Sequence, residues 1–183
     1  MVPISSGEED RAVSRSHAPT ELPDRAAGDA VTRAHPLILC YDGSEGAKRA
    51  IEHAGVLFPG SHAVVLTVWR SITSLGSLGW SGSTVMPDFA ELDDAAFEAG
   101  ATRADEGVSV ARRAGLEAEP LAIEANGPIW EAVVEAADHR QASVIVLGSR
   151  GLTGLRSLLL GSVSGTVVQQ AHRPTLVIHA SVD

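Results

Sequence analysis

Three glycines and a serine near the C-terminus are the residues best placed to do chemistry: Gly148, Gly151, Gly161 and Ser162, spaced G-x2-G-x9-G-S. They follow a continuous apolar run, Val144-Ile145-Val146-Leu147, and lead into a helical pattern that starts near Ser162. Glycine lets backbone approach an anion closely. The first N–H groups of a helix have no partner within it and attract negative charge. The chemistry on offer is phosphate binding. Arg150 and Arg156 fall in or beside the same stretch and could screen phosphate charge. A second polar cluster, Asp42-Gly43-Ser44, ends an earlier apolar run. Its carboxylate could face a ligand, or could cap the next helix.

The commoner phosphate motifs do not fit. A Walker loop needs Gly-Lys-Ser/Thr, and the only lysine, Lys48, stands between Ala47 and Arg49. A dinucleotide fingerprint needs G-x-G-x-x-G between the first strand and its helix, whereas Gly148, Gly151 and Gly154 lie near the end of the chain.

The elements that must position these residues alternate in type. Leu37 to Tyr41 reads as a strand, then Ala47 to Leu57 as a helix with Ile51, Ala54 and Leu57 on one face. His62 to Trp69 is a second strand, and Ala90 to Ala114 a long helix with Leu92, Ala96 and Val110 among its apolar positions. A third strand falls within Leu116 to Glu124. Pro128 then opens a helix with the stripe Ile129, Val133, Val134 and Ala137, on which Trp130 is expected to pack against the sheet. Val144 to Leu147 is the fourth strand, about Ser162 to Ala171 the last helix, and Thr175 to His179 the fifth strand. Unbroken apolar strands alternating with helices indicate an α/β fold, a parallel sheet covered by helices on both faces.

The glycine-serine spacing matches the nucleotide-binding signature of the universal stress protein family at every defined position, so the chain resembles an ATP-binding member of that family over about Pro36 to Ala180. The resemblance implies a doubly wound, open sheet of five parallel strands in the order 3-2-1-4-5. In such a sheet ligands bind beyond the carboxyl ends of the strands where the winding reverses. Here the reversal lies between strands one and four, so Asp42 and Gly148, about a hundred residues apart, converge on one crevice. By the same resemblance Asp42 belongs near the ribose and a metal, and Val68 beside the adenine. Gly148, Gly151, Gly161, Ser162 and the amide of Val163 would take the ribose and phosphates, with Arg150 beside them. The implied cofactors are ATP with Mg2+ or Mn2+. The fifth strand is uncharged apart from His179 and lacks internal proline; as a sheet edge it asks for a partner, and family members commonly form homodimers through this strand.

Enzymatic activity is left open. There is no G-x-S-x-G elbow, no usable Cys-His pair, no phosphate-reading lysine beside the loop and no metal-ligand spacing among the seven histidines, which read as surface or edge residues. Three functions therefore stand: an ATP-binding stress-response or signalling module, a weak Mg-dependent ATPase or phosphotransferase, and a dimeric interaction protein whose site is empty or takes AMP or cyclic AMP.

Composition bounds the rest. A chain of 183 residues suits one domain plus a tail. Residues 1–34 mix Ser, Pro, Gly and charges without apolar period, the composition of a disordered extension before a domain at 35–183. The net charge of -9 argues against nucleic-acid or anionic-membrane partners. Acidic residues stand where a signal peptide would be basic and then apolar, so the expected location is the cytoplasm. Thirteen arginines against one lysine suggest a GC-rich, bacterial coding sequence. Cys40, inside an apolar run, is expected to be a buried core residue. The segment Ser71 to Pro87, Gly/Ser-rich with Trp80 and Met86, is expected to be a surface loop, a lid over adenine or a partner patch.

Overall fold

The structure is a computed structural model that describes residues 35–71, 89–149 and 160–179. The expectations for the N-terminal extension, for Ser71 to Pro87 beyond Ser71, and for Arg150, Gly151 and Arg156 lie outside the described residues.

Five parallel strands form one sheet: β1 (Leu37–Cys40), β2 (His62–Trp69), β3 (Glu117–Glu124), β4 (Val144–Gly148) and β5 (Thr175–Ile178). Their order is β3-β2-β1-β4-β5, so the winding reverses between β1 and β4. Parallel strands need crossovers, and these are helices: α1 (Glu45–Leu57), α2 (Phe89–Arg113), α3 (Ile129–His139) and α4 (Ser162–Gln170).

Side chains alternate across the sheet and build two apolar layers. On one face Leu37, Leu39, Tyr41, Val65 and Val146 pack with Ile51 and Ala54 of α1 and with Val108 and Ala111 of α2. On the other, Ile38, Val64, Leu66 and Ile145 pack with Val133 and Ala137 of α3 and Val167 of α4, and Trp130 joins this layer as expected.

Helix ends follow local chemistry. Helix α1 starts at Glu45, two residues earlier than expected, because Ser44 caps it: the Ser44 Oγ accepts the Ala47 N–H at 3.2 Å. Arg112 and Arg113 complement the dipole in the last turn of α2.

Two apolar assignments are corrected. Leu57 is 56% exposed and Leu92 37%, so neither belongs to the buried face of its helix. The buried positions of α1 end at Gly55, and the first half of α2 extends past the sheet with its buried positions beginning at Gly100.

Candidate functional site

The carboxyl ends of β1 and β4 lie side by side, in register from Leu37 opposite Val144 to Leu39 opposite Val146. A helix follows each strand in the chain, and the described residues at the two helix starts have opposite hydrogen-bonding character.

The turn after β1 is rich in acceptors and largely satisfied. The Ser44 N–H donates to Asp42 Oδ1 at 2.9 Å, and Gly43 between them has φ +85°, a conformation that favours glycine. The half-buried Asp42 thus has one oxygen bound locally and Oδ2 without a partner among the described residues. Just before it, Tyr41 is buried and its phenol donates to Glu106 Oε1 on α2 at 2.9 Å. Lys48 Nζ lies 3.8 Å from the same oxygen and 3.1 Å from Glu45. Burial, and then the Glu106 carboxylate, push the Tyr41 hydroxyl well above its ordinary pKa. Cys40 is half-buried against the α3/α4 layer. Loss of hydration, with Asp42 nearby, raises its thiol to about 12, so it is no nucleophile at neutral pH.

The start of the helix that follows β4 is rich in donors. Helix α4 begins after Gly161, which supplies no side-chain cap, and its first intrahelical bond runs from Gly165 N–H to Gly161 O. The N–H groups of Ser162 and Val163 take no partner among the described residues, as expected of a first turn left open. Ser149 links the end of β4 to β5 and to the residue before α4. Its N–H donates to Ile178 O on β5, and its carbonyl accepts the Gly161 N–H, both at 2.8 Å. The buried Ser164 hydroxyl lies 3.1 Å from that carbonyl and 3.2 Å from the carbonyl of Gly161.

The sequence-derived residues divide accordingly. Asp42 follows β1, the strand that pairs with β4, Ser162 is exposed at the start of α4, and Gly161 and Val163 are half-buried there. Val68 sits near the end of β2, opposite Ile123 of β3, half-buried against the α3/α4 layer. Gly148 carries a second demand: a Cβ there would lie 2.8 Å from the Gly46 carbonyl carbon and 2.9 Å from its oxygen. Close packing of the α1 N-terminus on β4 therefore already calls for glycine at 148.

Sequence reasoning missed Tyr41, Thr67, Ser149 and Ser164. Thr67, the one hydroxyl in an otherwise apolar buried strand, was the readable signal. His62, expected at the surface, is half-buried at the start of β2 with its Nδ1 buried and unpartnered. It borders a shallow depression of about 580 Å³, with Arg112, Leu116, Glu117 and Ala118, at the opposite end of the sheet from Asp42 and Gly161. Among the described residues there is no group of three or more His, Cys, Asp or Glu able to hold a metal, and no helix long and apolar enough to cross a membrane.

This parallel α/β sheet, with its winding reversed between β1 and β4, defines the class. The profile of the universal stress protein family matches residues 34–179, and the chain belongs to that family. It is 30% identical to a universal stress protein of Thermus aquaticus over 148 residues, 78% of this chain and 96% of that one. It is 29% identical to the universal stress protein YxiE of Bacillus subtilis over 147 residues, 78% and 97% of the two. Other matches are partial: 48% identity to MJ0531 of Methanocaldococcus jannaschii extends over 46 residues, 27% of that protein. Among solved structures, the hypothetical protein MJ0577 superposes with a TM-score of 0.66 at 20% identity, over 82% of this chain and 99% of that one. A universal stress protein in complex with cAMP superposes at 0.55, with 22% identity over 80% and 98%. One from Archaeoglobus fulgidus in complex with dAMP superposes at 0.50, with 20% identity over 79% and 97%. At these identities the superpositions establish the shared fold.

Proposed function

We propose that the chain is an adenine-nucleotide-binding universal stress protein that takes ATP with Mg2+ or Mn2+ and acts in the cytoplasm as a stress-response or signalling module, its loaded state read by another protein. What supports this is that β1 and β4 are adjacent strands, that Asp42 after β1 keeps one oxygen open, and that the helix following β4 starts without a side-chain cap. The open N–H groups of Ser162 and Val163 suit phosphate oxygens. Gly161 has φ -60° and ψ 159°, which any residue can adopt, so its backbone does not itself require glycine. Close approach of an anion would. Asp42 suits ribose hydroxyls or a divalent ion. Mg2+ is commonly held by one or two carboxylates plus phosphates, so a single Asp is a sufficient protein ligand. Val68 offers an apolar contact for adenine, and the family resemblance assigns Gly148, Arg150 and Gly151 to the same ligand.

That two structurally similar proteins carry cAMP and dAMP supports the adenine class and keeps monophosphates in view. Denaturing the purified protein and identifying the released nucleotide by chromatography and mass spectrometry tests the reading. ATP is expected; AMP or cyclic AMP would change the ligand, and failure of added Mg-ATP to bind in calorimetry would refute it. Steady ADP formation with metal would favour the weak ATPase.

A homodimer through β5 is part of the proposal. The other edge strand, β3, carries Glu117, Glu119, Glu124 and Pro120, which discourage further pairing. By contrast β5 reads Thr175-Leu176-Val177-Ile178, all half-buried, and among the described residues it pairs only with β4. An antiparallel copy of the same strand would satisfy that edge and close a two-fold dimer. Val177→Pro removes a backbone donor and should convert a wild-type dimer to monomer in light scattering. A monomeric wild type, or a mutant that stays dimeric, contradicts this.

A further inference from the structure

We infer that Thr67, buried in β2, is a positioning residue that sets the place of the Asp42 carboxylate. This rests on the nucleotide site proposed above and assigns that site a residue remote from any ligand.

The pairing of β1 with β2 runs from Leu37 opposite Ala63 to Cys40 opposite Leu66, and the Tyr41 N–H continues it by donating to Leu66 O at 2.9 Å. A regular parallel ladder would next bring a backbone donor to the Tyr41 carbonyl. That carbonyl instead takes the Thr67 hydroxyl at 3.0 Å. A side-chain donor lets the chain leave the ladder at Tyr41 without leaving a buried carbonyl unsatisfied. Thr67 is 2% exposed, and valine would fill its place with the same shape and no polar atom. A hydroxyl inside Ala63-Val64-Val65-Leu66-Thr67-Val68 is thus explained by the bond it makes.

Tyr41 is held at three points: its N–H and its carbonyl, both on β2, and its phenol, on Glu106 of α2. The next residue is Asp42. With Tyr41 fixed and the Ser44 N–H on Oδ1, the free oxygen of Asp42 has few directions open to it. Thr67 therefore acts on the ligand through Asp42, by preorganising an acceptor that would otherwise have to be ordered on binding.

The test is a double-mutant cycle between Thr67→Val and Asp42→Ala, read as Mg-ATP affinity by calorimetry, together with the hydrogen-exchange rate of the Ser44 amide by NMR. Thr67→Val alone should weaken Mg-ATP binding about tenfold, the scale of one buried hydrogen bond, and speed Ser44 exchange by a similar factor. In the Asp42→Ala background the same change should cost less than about twofold, because the group it positions is gone. Thr67→Ser, which keeps the hydroxyl, should behave as wild type on both readouts. An undiminished Thr67→Val loss in the Asp42→Ala background, or a Thr67→Ser variant that behaves like Thr67→Val, would overturn the inference. If wild type fails to bind Mg-ATP, the nucleotide reading fails by itself. Ser44 exchange then decides the positioning claim: faster in Thr67→Val and unchanged in Thr67→Ser upholds it, unchanged in both refutes it.

Discussion

The helix starts that follow β1 and β4, neighbouring strands at the reversal point, are built on opposite principles. After β1, side chains close the backbone's open valences: Ser44 caps α1, Asp42 holds the Ser44 N–H, and Thr67 holds the Tyr41 carbonyl. After β4, Ser149 bonds to Ile178 and Gly161, but the first turn of α4 has no side-chain cap. One turn offers a fixed acceptor, the other open donors. A buried capping serine would make the second turn more stable and useless to an anion. The asymmetry fits a ligand with hydroxyls or a metal at one end and phosphate oxygens at the other.

The comparison can be broken most severely on the donor side. Gly161→Val puts a branched side chain where phosphate should meet backbone, in a conformation valine tolerates. Loss of two charge-assisted hydrogen bonds should lower ATP affinity at least about a hundredfold with the melting temperature preserved. Equal affinities in calorimetry would mean the phosphates lie elsewhere. On the acceptor side, Asp42→Ala should weaken binding about tenfold in Mg2+ and much less in EDTA, since a carboxylate near the metal is lost. Equal losses in both would leave Asp42 as a turn residue.

Gly148 sharpens the contrast differently, because its neighbour is the α1 backbone. Gly148→Ala should cost about 1–3 kcal/mol of stability in denaturant titration, the range for overpacking. An unchanged midpoint would show that α1 can give way. The smallest effect expected is none: deleting residues 1–34 should leave melting temperature and affinity within error, since the segment has no periodic apolar face.

Local pattern made most of the fold legible. Runs such as Val144 to Leu147 announce buried parallel strands, and all five observed strands fall on the expected segments, with shifts of a residue or two at their ends. Strand order came through the family resemblance, since pairing between distant strands leaves no periodic mark. Leu57 and Leu92 misled because an apolar residue at helical spacing need not face the core when the helix outruns the sheet. Of the site, Asp42 and the glycine spacing were readable as types, but their reasons were not. Gly148 meets Gly46 only in three dimensions, and the triple anchoring of Tyr41 joins β1, β2 and α2 across contacts that sequence does not encode locally.

The central claim, that both turns serve one ligand, is tested most directly by an NMR titration of the 15N-labelled protein with Mg-ATP. The account predicts that the amides of Asp42 to Ser44 and those of Ser162 and Val163 shift together and saturate with a single dissociation constant. Shifts on one side alone, two unrelated binding curves, or shifts centred on His62 and Glu117 at the far end of the sheet would contradict it.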